Sequence, residues 1–275
     1  MVYLDFVENI QINIGLIRKR IKDNSLWKKE LFLGTATKTK VNILAINNLA
    51  DKKLIDIVTK KLASLKIDGI INGEVLKNLI EDENSIALPT VLTTEKPDRV
   101  ANSLLEGRLA IIIDNNCYAL ILPAVLNDFV KTSEDSYGKS INVTFTRFLK
   151  YLALFIVVMG PGVYMALISY NQEIIPDSLL IDFAIQRSSV PFPAFVEALL
   201  MIFSFEMIRE ADLRLPIIAG GALSIVGALI LGDAAVSAGI VSPIMIIVIA
   251  TSAICSLPFN EFDLINGLRI YRLLF

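Results

Sequence analysis

Two carboxylates inside an apolar stretch are the residues of this chain whose type and placement invite chemistry. Glu197 and Glu206 lie in VPFPAFVEALLMIFSFEMIREADLRLP, residues 190–216. An ionised group near the centre of a bilayer costs roughly 2.5–3.5 kcal/mol on insertion scales, so such a carboxylate needs a polar cavity or a partner. The stretch opens on Pro191 and Pro193 and closes on Glu206, Arg209, Glu210, Arg214 and Pro216. The prolines set the start of a helix and restrict the residues before them. Glu210 and Arg214 form a favourable i,i+4 pair, worth ~0.2–0.5 kcal/mol.

Other chemistries lack their residues. The chain has no histidine, which removes Ser-His-Asp and Cys-His catalysis, His-ligated zinc and an imidazole switch. Its two cysteines, Cys117 and Cys255, lie in different halves and give neither a disulfide framework nor metal spacing. No GxGxxG or GxxxxGK[ST] loop is present. Asp68, Glu74, Glu81, Asp82 and Glu83 are spread over predicted loops and a helix end rather than paired. The basic run Arg18-Lys19-Arg20-Ile21-Lys22 fits a solvated helix face, or contact with acidic lipid. The expectation is a non-enzyme without cofactor, metal or nucleic acid.

Composition divides the elements that must position these residues. Of 275 residues, 54% are hydrophobic, and the net charge is -2. Residues 1–150 hold 21 of the 26 Lys/Arg and 18 of the 28 Asp/Glu, so a charged, soluble half precedes a membrane-like half. The start, MVYLDFVENIQ, has no basic segment ahead of an apolar run and reads as no secretory signal.

In the first half VNILAI (41–46) and IDGII (67–71) read as strands. Asp51 caps a helix through KKLIDIVTKKLASLK, and GEVLKNLIED (73–82) forms a short one. KPDRVANSLLEG (96–107) is a helix with Pro97 in its first turn and Gly107 past its end. RLAIIID and CYALILP flank Asn115-Asn116 as a hairpin. Alternating strands and helices predict a small α/β domain with a mixed sheet.

In the second half, 148–170 is long enough to cross a hydrocarbon core of ~30 Å. Gly160-Pro161-Gly162 sits in its middle, as a tolerated kink or a hinge. Further spans are expected at about 190–208, 215–232 and 234–258, divided at Asp233. Whether 190–208 crosses stays open; if it lies at an interface, the last two runs still form a hairpin. Gly221, Ser224, Gly227 and Ala228 give 215–232 a small face. Arg147 and Lys150, Arg209 and Arg214, and Arg269 and Arg272 flank alternate ends of these runs, with Arg187 alone out of pattern. That asymmetry predicts four crossings with the first half in the cytosol. The expected fold class is an α+β membrane protein: a helical opening segment (1–30), a small cytosolic α/β domain with a mixed sheet (31–140), and an α-helical transmembrane bundle (147–275).

The segment 190–216 resembles the A subunits of the GerA-type spore germinant receptors. FVENIQINIGLIRKRIKD, TTEKPDRVANSLLEGRLAIIIDN, EIIPDSLL and IVGALILGDAAVSAGIVSP resemble further family segments in the family order. Family members carry a further N-terminal subdomain and more C-terminal membrane sequence, so the chain is expected to be truncated at both ends. Arg187-Ser188-Ser189 stands where the family has Arg-Glu, and Ala211-Asp212 where it has Ala-Gly. The resemblance implies a multi-pass subunit of the spore inner membrane. Its implied partners are a transporter-like B subunit, a lipoprotein C subunit and copies of itself in a ring that forms a nutrient-gated cation channel. A coupling elbow is expected at Pro191, Pro193, Glu197, Glu206, Arg209, Glu210, Arg214 and Pro216, with Glu197 facing a neighbouring subunit or a polar cavity because lipid exposure is costly. Ser224, Gly227, Ala228 and Leu231 are the candidate pore-lining residues, with residues 234–241 as the second choice; the alternative is that this small face only packs against other helices. A secondary transporter-like protein and a non-functional truncated remnant are the alternatives.

Overall fold

Strands that are apolar on both faces require cover on both sides, and the first unit of this chain supplies it. The computed structural model describes residues 5–81, 88–131, 138–214, 230–259 and 262–274. Its packing falls into two units, Met1–Arg147 with Glu261–Gly267, and Phe148–Asn260 with Leu268–Phe275.

The first unit holds α1 (Ile10–Arg20), β1 (Leu26–Leu33), β2 (Thr39–Ile46), α2 (Lys52–Ser64), α3 (Gly73–Ile80), β3 (Leu92–Thr94), α4 (Pro97–Leu105), β4 (Leu109–Ile113), β5 (Ala119–Leu122) and α5 (Leu126–Val130). The five strands form one sheet in the order β1-β2-β4-β5-β3. On one face Val41, Ile43, Ile111, Leu120, Val58 and Leu76 share a core that joins the sheet to α2 and α3. Across the sheet Ile14 and Ile17 of α1 and Val100 and Leu104 of α4 are also buried, and α1 packs on α4. Every residue of β4 and β5 is buried.

The mixed sheet expected from the sequence is antiparallel at each of its four pairings. Strands covered on both faces read as continuous apolar runs, the pattern usual for parallel sheets, and that pattern hid their direction. IDGII is not a strand: its backbone lies against the β1–β2 turn, where Thr35 and Ala36 N–H donate to the carbonyls of Ile67 and Asp68. Among the described residues the opening segment is helical over Ile10–Arg20 and is followed by β1, whose charged Lys28, Lys29 and Glu30 concealed an edge strand. Asp51 caps α2 by accepting from the Lys53 N–H. Gly107 follows α4 with φ +85°, where an added Cβ would lie 2.7 Å from the Leu49 carbonyl oxygen.

The second unit is helical. α6 (Ser140–Ser169) begins in the first unit, and a short 3-10 turn (Gln172–Ile174), α7 (Asp177–Arg187) and α8 (Ala194–Arg214) follow. Residues 230–237 are helical (α9), then come α10 (Pro243–Cys255) and α11 (Phe262–Leu274). Among the described residues α6 alone is long and apolar enough to cross a membrane. The chain does not divide at Asp233: α9 runs through it, and the break falls at residues 238–242, where Gly239 has φ +65°. The expected run 234–258 is therefore two helices. α10 has 13 residues, about 20 Å at 1.5 Å per residue, short of a ~30 Å core.

One ion pair ties α5 to the sheet. Both terminal nitrogens of Arg108 donate to the buried Asp128 carboxylate, which also accepts from the Val125 N–H at 2.8 Å. Burial pushes the Asp128 carboxyl up, but the hydrogen bonds from Arg108 and Val125 outweigh it and hold the group below its usual value. A carboxyl lowered on folding gives stability that is full above its unfolded pKa, about 3.9, and is lost as pH falls through the folded value. Asp128→Ala should cost about 3 kcal/mol at neutral pH. Asp128→Asn should flatten the acid limb of stability below about pH 4. Urea unfolding followed by fluorescence of Trp27, the one tryptophan, checks both.

Candidate functional site

The site is built on α8. Its buried residues Ala194, Ala198, Met201 and Ile202 fall on one stripe and share a core with Tyr164 and Ile168 of α6 and Met245 and Ile249 of α10. Glu197 sits within that stripe at 0% exposure. One of its oxygens, Oε1, accepts from the Ser242 N–H at 2.6 Å and from the Ser242 hydroxyl. The other, Oε2, lies 3.9 Å from Nε of Arg187.

This arrangement explains how a carboxylate survives there. Ser242 is the cap position of α10 and Pro243 its first residue. The N-terminal end of a helix carries positive partial charge and unpaired N–H groups. The Ser242 side chain makes no cap bond to its own helix; its hydroxyl serves Glu197 instead. Glu197 is thus the anion at the start of α10. Hydrogen bonds to a charged group contribute about 1.5–3 kcal/mol each, against a desolvation penalty of several kcal/mol for the buried ion.

The other end of α10 repairs α6. Pro161 lies inside α6 and has no N–H, which leaves the Val157 carbonyl without its helical donor. The Ser252 hydroxyl of α10, fully buried, donates to that carbonyl at 3.1 Å. The Gly160-Pro161-Gly162 interruption is therefore satisfied by a neighbouring helix.

Glu206 lies nine residues after Glu197, about two and a half turns, and so leaves the opposite side of α8. It accepts from Arg272, from Arg269 at 2.6 Å, and stands 3.3 Å from Arg209. Burial pushes the Arg272 guanidinium down from its usual pKa, against the opposing pull of Glu206. Glu210 and Arg214 make the expected i,i+4 pair at 2.8 Å on an exposed face.

The two carboxylates thus hold separate clusters. Pro191 and Pro193 precede α8, and the Pro193 carbonyl accepts from the Glu197 N–H. Leu231 is exposed on α9. Pro216, Ser224, Gly227 and Ala228 fall outside the described residues. The sequence reading missed Ser242, Ser252 and the pairing of Arg269 and Arg272 with Glu206. One signal was present: Arg187, the cation out of the flanking pattern, stands beside Glu197.

Residues 5–275 match the family described as Bacillus/Clostridium GerA spore germination protein. The chain belongs to this family. Spore germination protein KA of Bacillus subtilis (strain 168) is 43% identical over 270 residues, covering 98% of this chain and 50% of that protein. The uncharacterized membrane protein YfkQ of the same organism is 39% identical over 267 residues, covering 97% of this chain and 52% of that protein. The crystal structure of the N-terminal domain of the A subunit of the Bacillus megaterium spore germinant receptor GerK3 is 38% identical, covers 44% of this chain and 97% of that domain, and has a TM-score of 0.37. The GerA-family chain described here spans about half the length of the curated relatives it matches.

Two substitutions test the site's energetics. Glu197→Ala strands both Ser242 donors and Arg187 and should destabilise the second unit by about 3–5 kcal/mol, read as thermal unfolding in detergent. Ser252→Ala should cost about 1–2 kcal/mol in the native chain and far less in Pro161→Ala, where residue 161 regains its N–H and serves Val157 itself. A double-mutant cycle that shows no coupling would refute the helix-repair role.

Proposed function

We propose that the chain is the A subunit of a spore germinant receptor, acting in nutrient-triggered germination within an oligomeric, nutrient-gated cation channel of the spore inner membrane. Membership of the GerA family supports the germination role. The observation that carries the mechanism is Glu197, fully buried in α8 and hydrogen-bonded to the start of α10. A displacement of α8 must then move α10 or break charge-assisted bonds. In this reading residues 190–216, from Pro191 and Pro193 through Glu206, Arg209, Glu210, Arg214 and Pro216, form the elbow that couples a cytosolic first unit to the pore. The pore is lined by Ser224, Gly227, Ala228 and Leu231 on the segment after the elbow. The chain passes the membrane more than once, and a ring of copies assembles with a transporter-like B subunit and a lipoprotein C subunit. No catalytic step and no cofactor are assigned.

A second reading shares the same observation. Broken helices also occur in secondary transporters, where half-helix N-termini face anionic groups of the substrate; here residues 238–242 are such a break, with Glu197 of the chain itself on the N-terminus of α10.

Potassium release from spores on nutrient addition separates the readings. Deletion of the gene should abolish or slow release, and the native gene should restore it. Glu197→Ala should fail to restore it, whereas Glu210→Ala, which breaks an exposed pair, should restore it. Saturable nutrient uptake by the chain, without an ion current, would favour the transporter. Release unchanged by deletion across a nutrient panel would favour a non-functional remnant. Cysteines at positions 224, 227, 228 and 231 should become reactive to a charged thiol reagent only in triggered spores. Unreactive cysteines in open channels would remove the pore assignment.

A further inference from the structure

Glu197 is held unevenly. Both donors of Ser242, its N–H and its hydroxyl, fall on Oε1. Oε2 has no hydrogen-bond partner among the described residues and no contact with solvent. Two more polar atoms of the same cluster share that condition, Nε of Arg187 and the hydroxyl of Tyr164. Tyr164 is 9% exposed and shares a core with Ala198, Val241 and Met245. Its hydroxyl stands beside Ser242 and within electrostatic reach of Glu197 and Arg187.

An O–H donor and a carboxylate oxygen kept near each other in a dry core, each unused, are costly. No solvent reaches these atoms, so relief must come from the protein's own side chains. A phenolic hydroxyl donates one hydrogen bond, and an ionised carboxylate accepts on both oxygens. Tyr164 and Glu197 are therefore complementary partners that the present arrangement does not join.

We propose that Glu197 is a two-position switch, with Ser242 as its partner in this structure and Tyr164 as its partner once α10 withdraws. A carboxylate stripped of Ser242 with no replacement would be a buried, poorly paired charge, and such a state is strongly disfavoured. The Tyr164 hydroxyl lowers that penalty and makes the second position reachable. Packed interfaces rest in discrete arrangements rather than deforming continuously. The part of this switch in ion release rests on the receptor reading; the exchange of partners itself does not.

A double-mutant cycle on the full chain in detergent tests the exchange without channel activity. Tyr164→Phe alone should leave the thermal midpoint unchanged or raise it, since the hydroxyl makes no bond in the present position. Ser242→Ala should lower the midpoint, and by about 3 °C more when combined with Tyr164→Phe, because the phenol can no longer take over. A lower midpoint in Tyr164→Phe alone would mean that the hydroxyl is already bonded. Equal losses from Ser242→Ala in the two backgrounds would mean that it never replaces Ser242. Either result overturns the proposal. In spores, Tyr164→Phe should slow nutrient-triggered potassium release about tenfold. Release at the native rate would overturn the switch's part in gating. Release unaffected by deletion of the gene would instead overturn the receptor reading, and the cycle alone would then decide the exchange.

Discussion

A charge with no access to water must be neutralised by its surroundings, and at Glu197 that requirement fixes where three helices meet. The carboxylate cannot be served by α8, which carries it. It draws instead on Ser242 at the start of α10 and on Arg187 at the end of α7. Placing the carboxylate at the positive end of α10 lets backbone dipoles contribute to its neutralisation. The break at 238–242 leaves the Ser242 N–H free for this role. A helix running straight from α9 into α10 would have used the Ser242 N–H internally, leaving none for Glu197.

α10 is consequently held at two points by bonds that are not interchangeable. Ser242 answers a charge, and Ser252 answers a carbonyl that Pro161 has released. Between them Met245 and Ile249 pack by shape alone. The sheet of the first unit is stabilised differently, by continuous apolar cover on both faces and by the Arg108–Asp128 pair beneath α5. A polar lock in one unit and a dispersed apolar core in the other respond differently to a local perturbation. Loss of one bond at Ser242 removes a specific restraint, whereas loss of one methyl in the sheet is shared among many neighbours.

Much of this was legible in the sequence. The helix over Lys52–Ser64 followed from Asp51 and its apolar spacing, and the β4–β5 hairpin followed from Asn115-Asn116. The need of Glu197 for a polar partner followed from a carboxylate placed in an apolar run. The misses have physical causes. Strand direction leaves no trace when both faces are buried, so an antiparallel sheet read as mixed. Asp233 looked like a boundary because charge ends membrane runs, but Gly239 set the break through its backbone conformation. Ser242 and Ser252 were invisible because a hydroxyl's role depends on what stands opposite it, and their partners lie 45 and 95 residues away.

The link between Pro161 and Ser252 has a consequence for descent. With serine at 252 in place, proline at 161 costs α6 little. With proline in place, the hydroxyl at 252 is no longer free to drift. The proline is harmful without the serine, whereas the serine is constrained only once the proline is present. The pair then acts as an evolutionary ratchet: once proline is in place the serine is retained, and Pro161 persists even where no selection acts on it.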